Sequence, residues 1–145
     1  MQVIHILREK GREVVSLPGD ATLSEATRLL ARKHIGAVLV KDRLGALIGI
    51  LSERDVVRAL AEESVTALAR PVSAYMTQAV VTCTEIDTVD ELMEMMTQGR
   101  FRHVPVLDEH GGLCGIVSIG DVVKTRIAET VQEAASLREY IAAAG

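Results

Sequence analysis

Two short segments of the chain each place a hydroxyl and a carboxylate three residues apart. Ser52 precedes Asp55 and Ser118 precedes Asp121, and in both segments a strand-like apolar run leads into the serine and a helical pattern follows it. The free N–H groups at the start of a helix favour an anion, and an Asp carboxylate can accept both hydroxyls of a ribose. Each segment could therefore act as a clamp for a nucleotide.

The same spacing is also that of an ordinary helix cap. A serine at the N-cap and a carboxylate three positions later satisfy two backbone N–H groups that the first turn leaves free. The recurrence of the pattern does not separate the two interpretations, because a duplication copies a cap as faithfully as a binding site. At the level of spacing, both interpretations stay open.

The two segments are parts of an internal repeat. The stretch 49–57 recurs at 115–123, an offset of 66 residues. Without a gap, the same offset aligns Thr22 with Thr88, Glu25 with Glu91, Val38 with Val104, Gly45 with Gly111 and Leu47 with Leu113. Two copies of one structural unit are therefore expected.

Each copy predicts the element order β-α-β-β-α. The first helix is opened by Thr22 or Thr88, with Glu25 or Glu91 completing a capping box. The second helix begins at Ser52 or Ser118, and residues 61–78 connect the copies. Strands are predicted over 14–17, 37–40 and 46–51 in the first copy and over 79–82, 103–107 and 113–117 in the second.

A helical pattern continues beyond the second copy, to about Ile141. Its apolar residues fall on one stripe, which predicts packing on the rest of the chain or on a second subunit. The stripe consists of Ile127, Val131, Ala134, Leu137 and Ile141.

The composition favours a small globular domain and argues against a nucleic-acid-binding protein. A chain of 145 residues with 48% apolar content can bury a core as one domain or as two halves that share a core. With one Phe, two Tyr, no Trp, a net charge of −4 and scattered basic residues, it has neither stacking platforms nor a basic surface for nucleic acid. Cys83 and Cys114 lie in apolar runs and are expected to be buried, reduced thiols.

Targeting, membrane and catalytic signals do not appear in the sequence. The apolar start of the chain is too short for a signal peptide, and no window reaches the length of a membrane span, which predicts a cytoplasmic protein without a membrane partner. His5, His34, His103 and His110 lie in dissimilar settings, none at ligand spacing with Cys, Asp or Glu. Neither an enzyme nor a metal site is expected.

Several segments together resemble a known family. They are Gly-Ile-Leu-Ser-Glu-Arg-Asp at 49–55, Gly-Ile-Val-Ser-Ile-Gly-Asp at 115–121, the run from Arg100 to Asp108, and Tyr75-Met76-Thr77. They look like paired cystathionine-β-synthase-type (CBS) motifs, a Bateman module of the stand-alone bacterial type, over about residues 8–128. The resemblance implies an α/β (α+β) fold with two three-stranded sheets back to back. Motif 1 would cover 8–62, motif 2 would cover 73–130, and a helical extension would cover 131–145.

The resemblance also implies a function. Such modules are regulatory rather than catalytic and hold an adenosine-containing ligand in each of two clefts. AMP is the first expectation here, with ADP, ATP, NAD(H) and S-adenosylmethionine as alternatives and no metal. Related proteins pair as homodimers and act in energy sensing and signal transduction, so an effector protein on another chain, not identified by the sequence, is expected. A scaffold that binds no ligand and serves only dimerisation or protein interaction stays open as the alternative.

Carried over residue by residue, the resemblance implies two ligand sites. In each, the Asp would hold the ribose, the Ser would lie near the phosphate, and the adenine would rest against backbone of the opposite copy. The first site would comprise Asp121, Ser118, Gly120, Ile116, Arg102, His103, Lys10, Gly11, Val14, Val15, Ile35 and Gly36. The second would comprise Asp55, Ser52, Arg54, Ile50, Met76, Val81 and Phe101.

The two sites are not expected to be equivalent. Arg102 and His103 match a basic pair that reaches phosphates in nucleotide-binding relatives, and a guanidinium and an imidazole are suitable donors for that role. As an alternative, both are solvated residues at a strand edge. The first copy carries Gly36 and Ala37 at these positions. We therefore expect the Asp121 cleft to bind a simple nucleotide more tightly than the Asp55 cleft.

Overall fold

The computed structural model describes residues 1–144, which form two compact units. One unit is continuous and runs from Glu13 to Val81, and the other joins residues 1–12 to the chain from Thr82 onward. The predicted α/β class is confirmed, since each unit contains one three-stranded sheet with helices. Each half of the chain thus folds around its own sheet.

The continuous unit contains the first copy of the repeat. Its elements are β1 (Ser16–Pro18), α2 (Leu23–Lys33), β2 (Ala37–Lys41), β3 (Leu47–Ser52), α3 (Glu53–Glu63) and two short 3₁₀ helices (Ser64–Ala69 and Val72–Ala74). β2 lies in the middle of the sheet, parallel to β1 and antiparallel to β3. The capping box predicted at Thr22 and Glu25 is present and begins α2.

The second unit repeats this arrangement. Its elements are α1 (Val3–Lys10), β4 (Cys83–Thr84), α4 (Val89–Gly99), β5 (His103–Leu107), β6 (Leu113–Ser118) and α5 (Ile119–Ala144). The sheet has the order β4-β5-β6 and the same strand directions as the first sheet. At Thr88, the hydroxyl accepts from Glu91 N–H, which is one half of the predicted capping box.

The strand predicted over 79–82 is wrong, because pairing begins at Cys83, opposite Val106. The reason is burial: Cys83 is 3% exposed and belongs to the core, whereas Val81 is 41% exposed. The prediction over 14–17 is shifted by two residues at its start, although Val15 already accepts a hydrogen bond from Leu39 N–H at 3.0 Å.

The repeat pattern does not predict α1, and this helix completes the second unit. Val3, Ile6 and Leu7 follow i, i+3, i+4 spacing and are buried in the core of the second copy. Leu7 covers Gly115 of β6, where an added Cβ would lie 2.7 Å from Leu7 Cδ2. The helix ends at Lys10 and is capped by Gly11, whose φ of +98° is a conformation that favours glycine. The first residues of the chain therefore pack against its last strand.

The prediction that both thiols are buried is confirmed for Cys83 and only partly for Cys114. Both cysteines are free; Cys83 is buried and Cys114 is half-buried. Desolvation, with a smaller contribution from the charge of Asp87, raises the pKa of Cys83 to about 12. No helix within residues 1–144 is long and apolar enough to cross a membrane.

Replacement of Leu7 tests whether α1 is part of the second core. Leu7 is 1% exposed, so Leu7→Ala leaves a cavity and is expected to lower the free energy of unfolding by about 2–5 kcal/mol. Leu44→Ala is the matched control, since Leu44 is 95% exposed. Urea unfolding measures both variants, and equal stability of the two would contradict the packing of α1.

Candidate functional site

The corner between β6 and α5 is held by Ser118 and Asp121. Ser118 N–H donates to Asp121 Oδ2 at 2.9 Å, and Asp121 N–H donates to Ser118 Oγ at 3.2 Å. The aspartate side chain keeps 23% exposure. This reciprocal pair is a capping box that places a carboxylate and a hydroxyl at the positive end of a long helix.

The corresponding corner between β3 and α3 has the same cap but a more enclosed carboxylate. Ser52 N–H donates to Asp55 Oδ2 at 2.9 Å, and Asp55 N–H donates to Ser52 Oγ at 3.4 Å. Asp55 is 9% exposed, and Arg58 Nη1 lies 3.6 Å from its Oδ1. The helix-cap interpretation is thus confirmed at both corners, and ligand binding would be a second role of the same residues.

Lys10 lies directly on the Asp121 corner. Its Nζ is 2.7 Å from Asp121 Oδ2 and donates to the backbone oxygen of Ile116 at 3.0 Å. Partial burial by itself raises the pKa of Asp121, but the hydrogen bonds from Lys10 and Ser118 outweigh it and lower the pKa below its ordinary value. The resemblance implied a role for the backbone at Lys10, whereas the structure brings its ammonium to the carboxylate.

Arg102 and His103 also lie at this corner. His103 is opposite Ser118 in the β5–β6 pairing, and Arg102 O accepts from Ile119 N–H at 2.7 Å. The exposed side chain of Arg102 and the half-buried His103 thus flank the start of α5. In the first copy, Ala37 is opposite Ser52 and Gly36 O accepts from Glu53 N–H. The backbone is the same at the two corners, and only the second carries basic side chains at these two positions before and at the start of the strand.

Other predicted residues lie in the same unit as their aspartate, including Met76, which was expected from the opposite copy. Gly120 and Arg54 are exposed in the first turns of α5 and α3. Ile50 exchanges two backbone hydrogen bonds with Thr77, at 2.9 and 3.0 Å. Met76 is half-buried beside Gly49, where an added Cβ would clash with its sulfur.

Five predicted residues belong to the unit that does not contain their aspartate. Val14, Val15, Ile35 and Gly36 are in the continuous unit, and Phe101 packs on the core of the other. Ile35 lines a shallow groove of about 420 Å³ between α2 and α3, next to Val56 and Val57. The parts of these five residues in a ligand site stay predictions.

Sequence reasoning missed an ion pair near the start of β6. Arg12 pairs with Glu85, and Cys114 Sγ lies 3.6 Å from the same carboxylate. The hydrogen bond from Arg12 lowers the pKa of Glu85. Because the two residues are 73 positions apart and carry no motif, no local signal could have indicated the pair. It fastens the end of α1 near β4, and so helps to hold Lys10 in place.

A duplicated strand-to-helix corner, each copy with its own three-stranded sheet, defines a paired-motif domain. The model of the family described as CBS domain matches residues 4–62 and 72–128, most of the chain. The chain therefore belongs to the CBS domain family and contains two copies of its motif. It spans about three fifths of the length of the curated relatives it matches first, at 62% and 61%.

Solved structures of similar proteins agree with the fold. The CBS-domain containing protein ATU1752 from Agrobacterium tumefaciens is 50% identical, with a TM-score of 0.84 over 86% of this chain and 92% of that one. The CBS domain protein PAE2072 from Pyrobaculum aerophilum, complexed with AMP, is 30% identical, with a TM-score of 0.75 over 83% and 89%. The CBS domain pair of protein MJ0100, in complex with 5-methylthioadenosine and S-adenosyl-L-methionine, is 25% identical, with a TM-score of 0.79 over 89% and 98%.

The charge of Asp121 should make stability depend on pH. Because its folded pKa is below the unfolded value of about 4, the stabilisation is complete above that value and is lost as the pH falls through the folded pKa. We expect Asp121→Asn to cost about 1 kcal/mol near neutral pH and to lose this difference from the wild type in acid.

Urea unfolding at a series of pH values measures this effect. Asp20→Asn is the control, because Asp20 is an exposed turn residue of the other unit. A difference between Asp121→Asn and the wild type that stays constant down to the acid end would contradict the ion pair.

Proposed function

We propose that the chain is a regulatory module that binds an adenine nucleotide without catalysing a reaction on it. The observation that carries this proposal is the Asp121 corner, where a part-exposed carboxylate, a hydroxyl, the start of a helix and basic side chains meet. That combination suits a ligand with both a diol and a phosphate. The fold of the corner does not require Arg102 and His103, since the first copy forms the same corner with Gly36 and Ala37 at those positions.

Each part of the corner has a separate task in this proposal. Asp121 accepts hydrogen bonds from the ribose hydroxyls, and Ser118 lies near the phosphate at the positive end of α5. Arg102 and His103 add donors to phosphate oxygens. The Asp55 corner is the weaker site, because Asp55 is more buried and Ala37 replaces the imidazole.

AMP is the proposed ligand. The relative PAE2072 is complexed with AMP at 30% identity, and the domain pair of MJ0100 is complexed with two other adenosine compounds at 25%. ADP, ATP, NAD(H) and S-adenosylmethionine share the adenosine half and are the alternatives. In residues 1–144, no cluster of three or more His, Cys, Asp or Glu is placed to hold a metal ion, and none enters the proposal.

Regulation would follow from differential binding. A ligand that favours one of two arrangements of the motifs shifts the population toward it, and an effector protein would read that change. We place this action in the cytoplasm, in keeping with the expectation from the sequence.

Titration of AMP into two aspartate variants tests the ranking of the corners. Asp121→Ala removes the carboxylate that would hold the ribose, and we expect a loss of affinity of about tenfold or more. Asp55→Ala should lose less, because the Asp55 carboxylate is more buried than that of Asp121 and less accessible to a ligand. Calorimetry measures both dissociation constants, and thermal unfolding without ligand shows that each variant is folded.

A larger loss for Asp55→Ala would overturn the ranking. A thermal-shift screen tests binding itself, because a ligand at 100 times its dissociation constant stabilises the folded state by about 2.7 kcal/mol. If none of the five adenosine compounds shifts the transition, the nucleotide proposal fails and the scaffold alternative is favoured.

The C-terminal half of α5 favours dimerisation as a second function. Every residue from Thr130 to Ala144 is exposed, and Ile127, Leu137 and Ile141 are each about 60% exposed. Val123, Ile127, Ala134, Leu137 and Ile141 fit the alternating spacings of four and three of a coiled-coil seam when Thr130 takes the remaining position, with Val131 beside the seam. Glu133 and Arg138 flank the seam five residues apart, where a parallel partner would pair them. We propose a second copy of the chain as the occupant.

Two sets of substitutions on α5 test this pairing, one that places charges in the apolar stripe and one that exchanges the charges beside it. Ile127→Glu with Leu137→Glu should convert the dimer to a 15.6 kDa monomer, while Gln132→Glu, off the stripe, should leave it intact. Glu133→Arg should weaken the dimer, and adding Arg138→Glu should restore it, since the attraction returns with its signs reversed. Light scattering after gel filtration measures the mass, and a monomeric wild type would refute the proposal.

A further inference from the structure

In the structure, the carboxylate proposed to hold the ribose already has a basic partner. Lys10 Nζ lies 2.7 Å from Asp121 Oδ2, and that same oxygen accepts from Ser118 N–H. The ammonium also donates to Ile116 O at 3.0 Å, so it bridges the edge of β6 and the start of α5. A ribose hydroxyl approaching Oδ2 would meet a site occupied by two donors.

The first copy closes the corresponding position in a different way. The outer edge of β3 at Ile50 is covered by backbone, through the pair of hydrogen bonds to Thr77. Asp55 is approached by Arg58 of its own helix, at the longer distance of 3.6 Å. The repeat offset aligns Ile116 with Ile50. The backbone oxygen at this position therefore accepts from a side chain, Lys10, in one copy and from a main-chain N–H, that of Thr77, in the other.

This difference determines at which corner the covering contact can be broken with little free energy. The backbone hydrogen bonds between Ile50 and Thr77 break only if the chain moves, whereas a lysine side chain has four rotatable bonds and can move away by changing rotamer. Lys10 is the last residue of α1, its side chain is 33% exposed, and water can receive the released ammonium. The corner of the second copy is therefore closed by a removable contact.

The geometry points to Lys10 as an internal competitor of the ligand. Its ammonium occupies Asp121 Oδ2 in the absence of ligand and must leave before a ribose diol can bond both oxygens of the carboxylate. This inference rests on the proposed nucleotide function and adds a means of regulation to it. Neutralising Lys10, or screening its charge, raises the affinity of the site for a diol.

Adenosine is the probe that separates this competition from attraction between Lys10 and a phosphate. Adenosine carries the diol without a charge, so its binding should depend on salt only through the Lys10–Asp121 pair. We expect Lys10→Met to bind adenosine about fivefold more tightly than the wild type at low ionic strength. Raising the salt to about 0.5 M should strengthen wild-type binding and leave Lys10→Met unchanged.

The matched control is Lys33→Met, which removes an exposed lysine paired with Glu13 at 3.7 Å and should behave as the wild type. Protein-detected NMR titration measures the affinities. The carboxyl carbon of Asp121 reports the pair without ligand, and its pKa should rise in Lys10→Met.

The outcomes are distinct. Adenosine binding that Lys10→Met leaves unchanged or weakens overturns the role of Lys10 alone. If neither protein binds adenosine or AMP, the nucleotide proposal fails and the competition fails with it. An unchanged pKa of Asp121 in Lys10→Met would show that the ion pair is not formed in solution and would also overturn the inference.

Discussion

The hydrogen bond from Ser118 N–H to the carboxylate of Asp121 ties the last residue of a strand to the first turn of the following helix. Because the first N–H groups of a helix have no partner within it, this corner needs an acceptor whether or not a ligand is present. The same bond at Ser52 and Asp55 shows that the repeat conserves this solution in both halves. Lys10 binds a carboxylate that the backbone has fixed, and His103 lies on the neighbouring strand opposite Ser118.

Cap and clamp are consequently not rival descriptions of these residues. A capping aspartate points its carboxylate toward the positive end of a helix, which is also where an anionic ligand is favoured. What separates the two corners is their surroundings: Asp55 is enclosed, whereas Asp121 is partly exposed and flanked by basic side chains. Duplication supplied two similar frames, and divergence at positions such as 37 and 103 left them with different chemistry.

Local and periodic signals could be read from the sequence, and long-range contacts could not. The offset between Asp55 and Asp121 predicted two copies of one fold, and the spacing of Thr22 and Glu25 predicted a helix start that the structure confirms. The strand at Cys83 was misplaced because Val80 and Val81 have the stronger β propensity, while burial at Cys83 determined the pairing. The contact of Lys10 with Asp121 spans 111 positions and follows from the packing of α1, which the repeat pattern does not contain.

The packing of α1 against β6 also bears on how the chain is made. Residues 13–81 form a continuous unit, so that half can acquire its core as soon as it has left the ribosome. The other half needs residues 1–12 and β6 together. Residues 1–12, which are synthesised first, therefore cannot complete their packing until β6 has been synthesised. Until then, the apolar face of Val3, Ile6 and Leu7 has no native core to enter and remains a surface that chaperones can recognise.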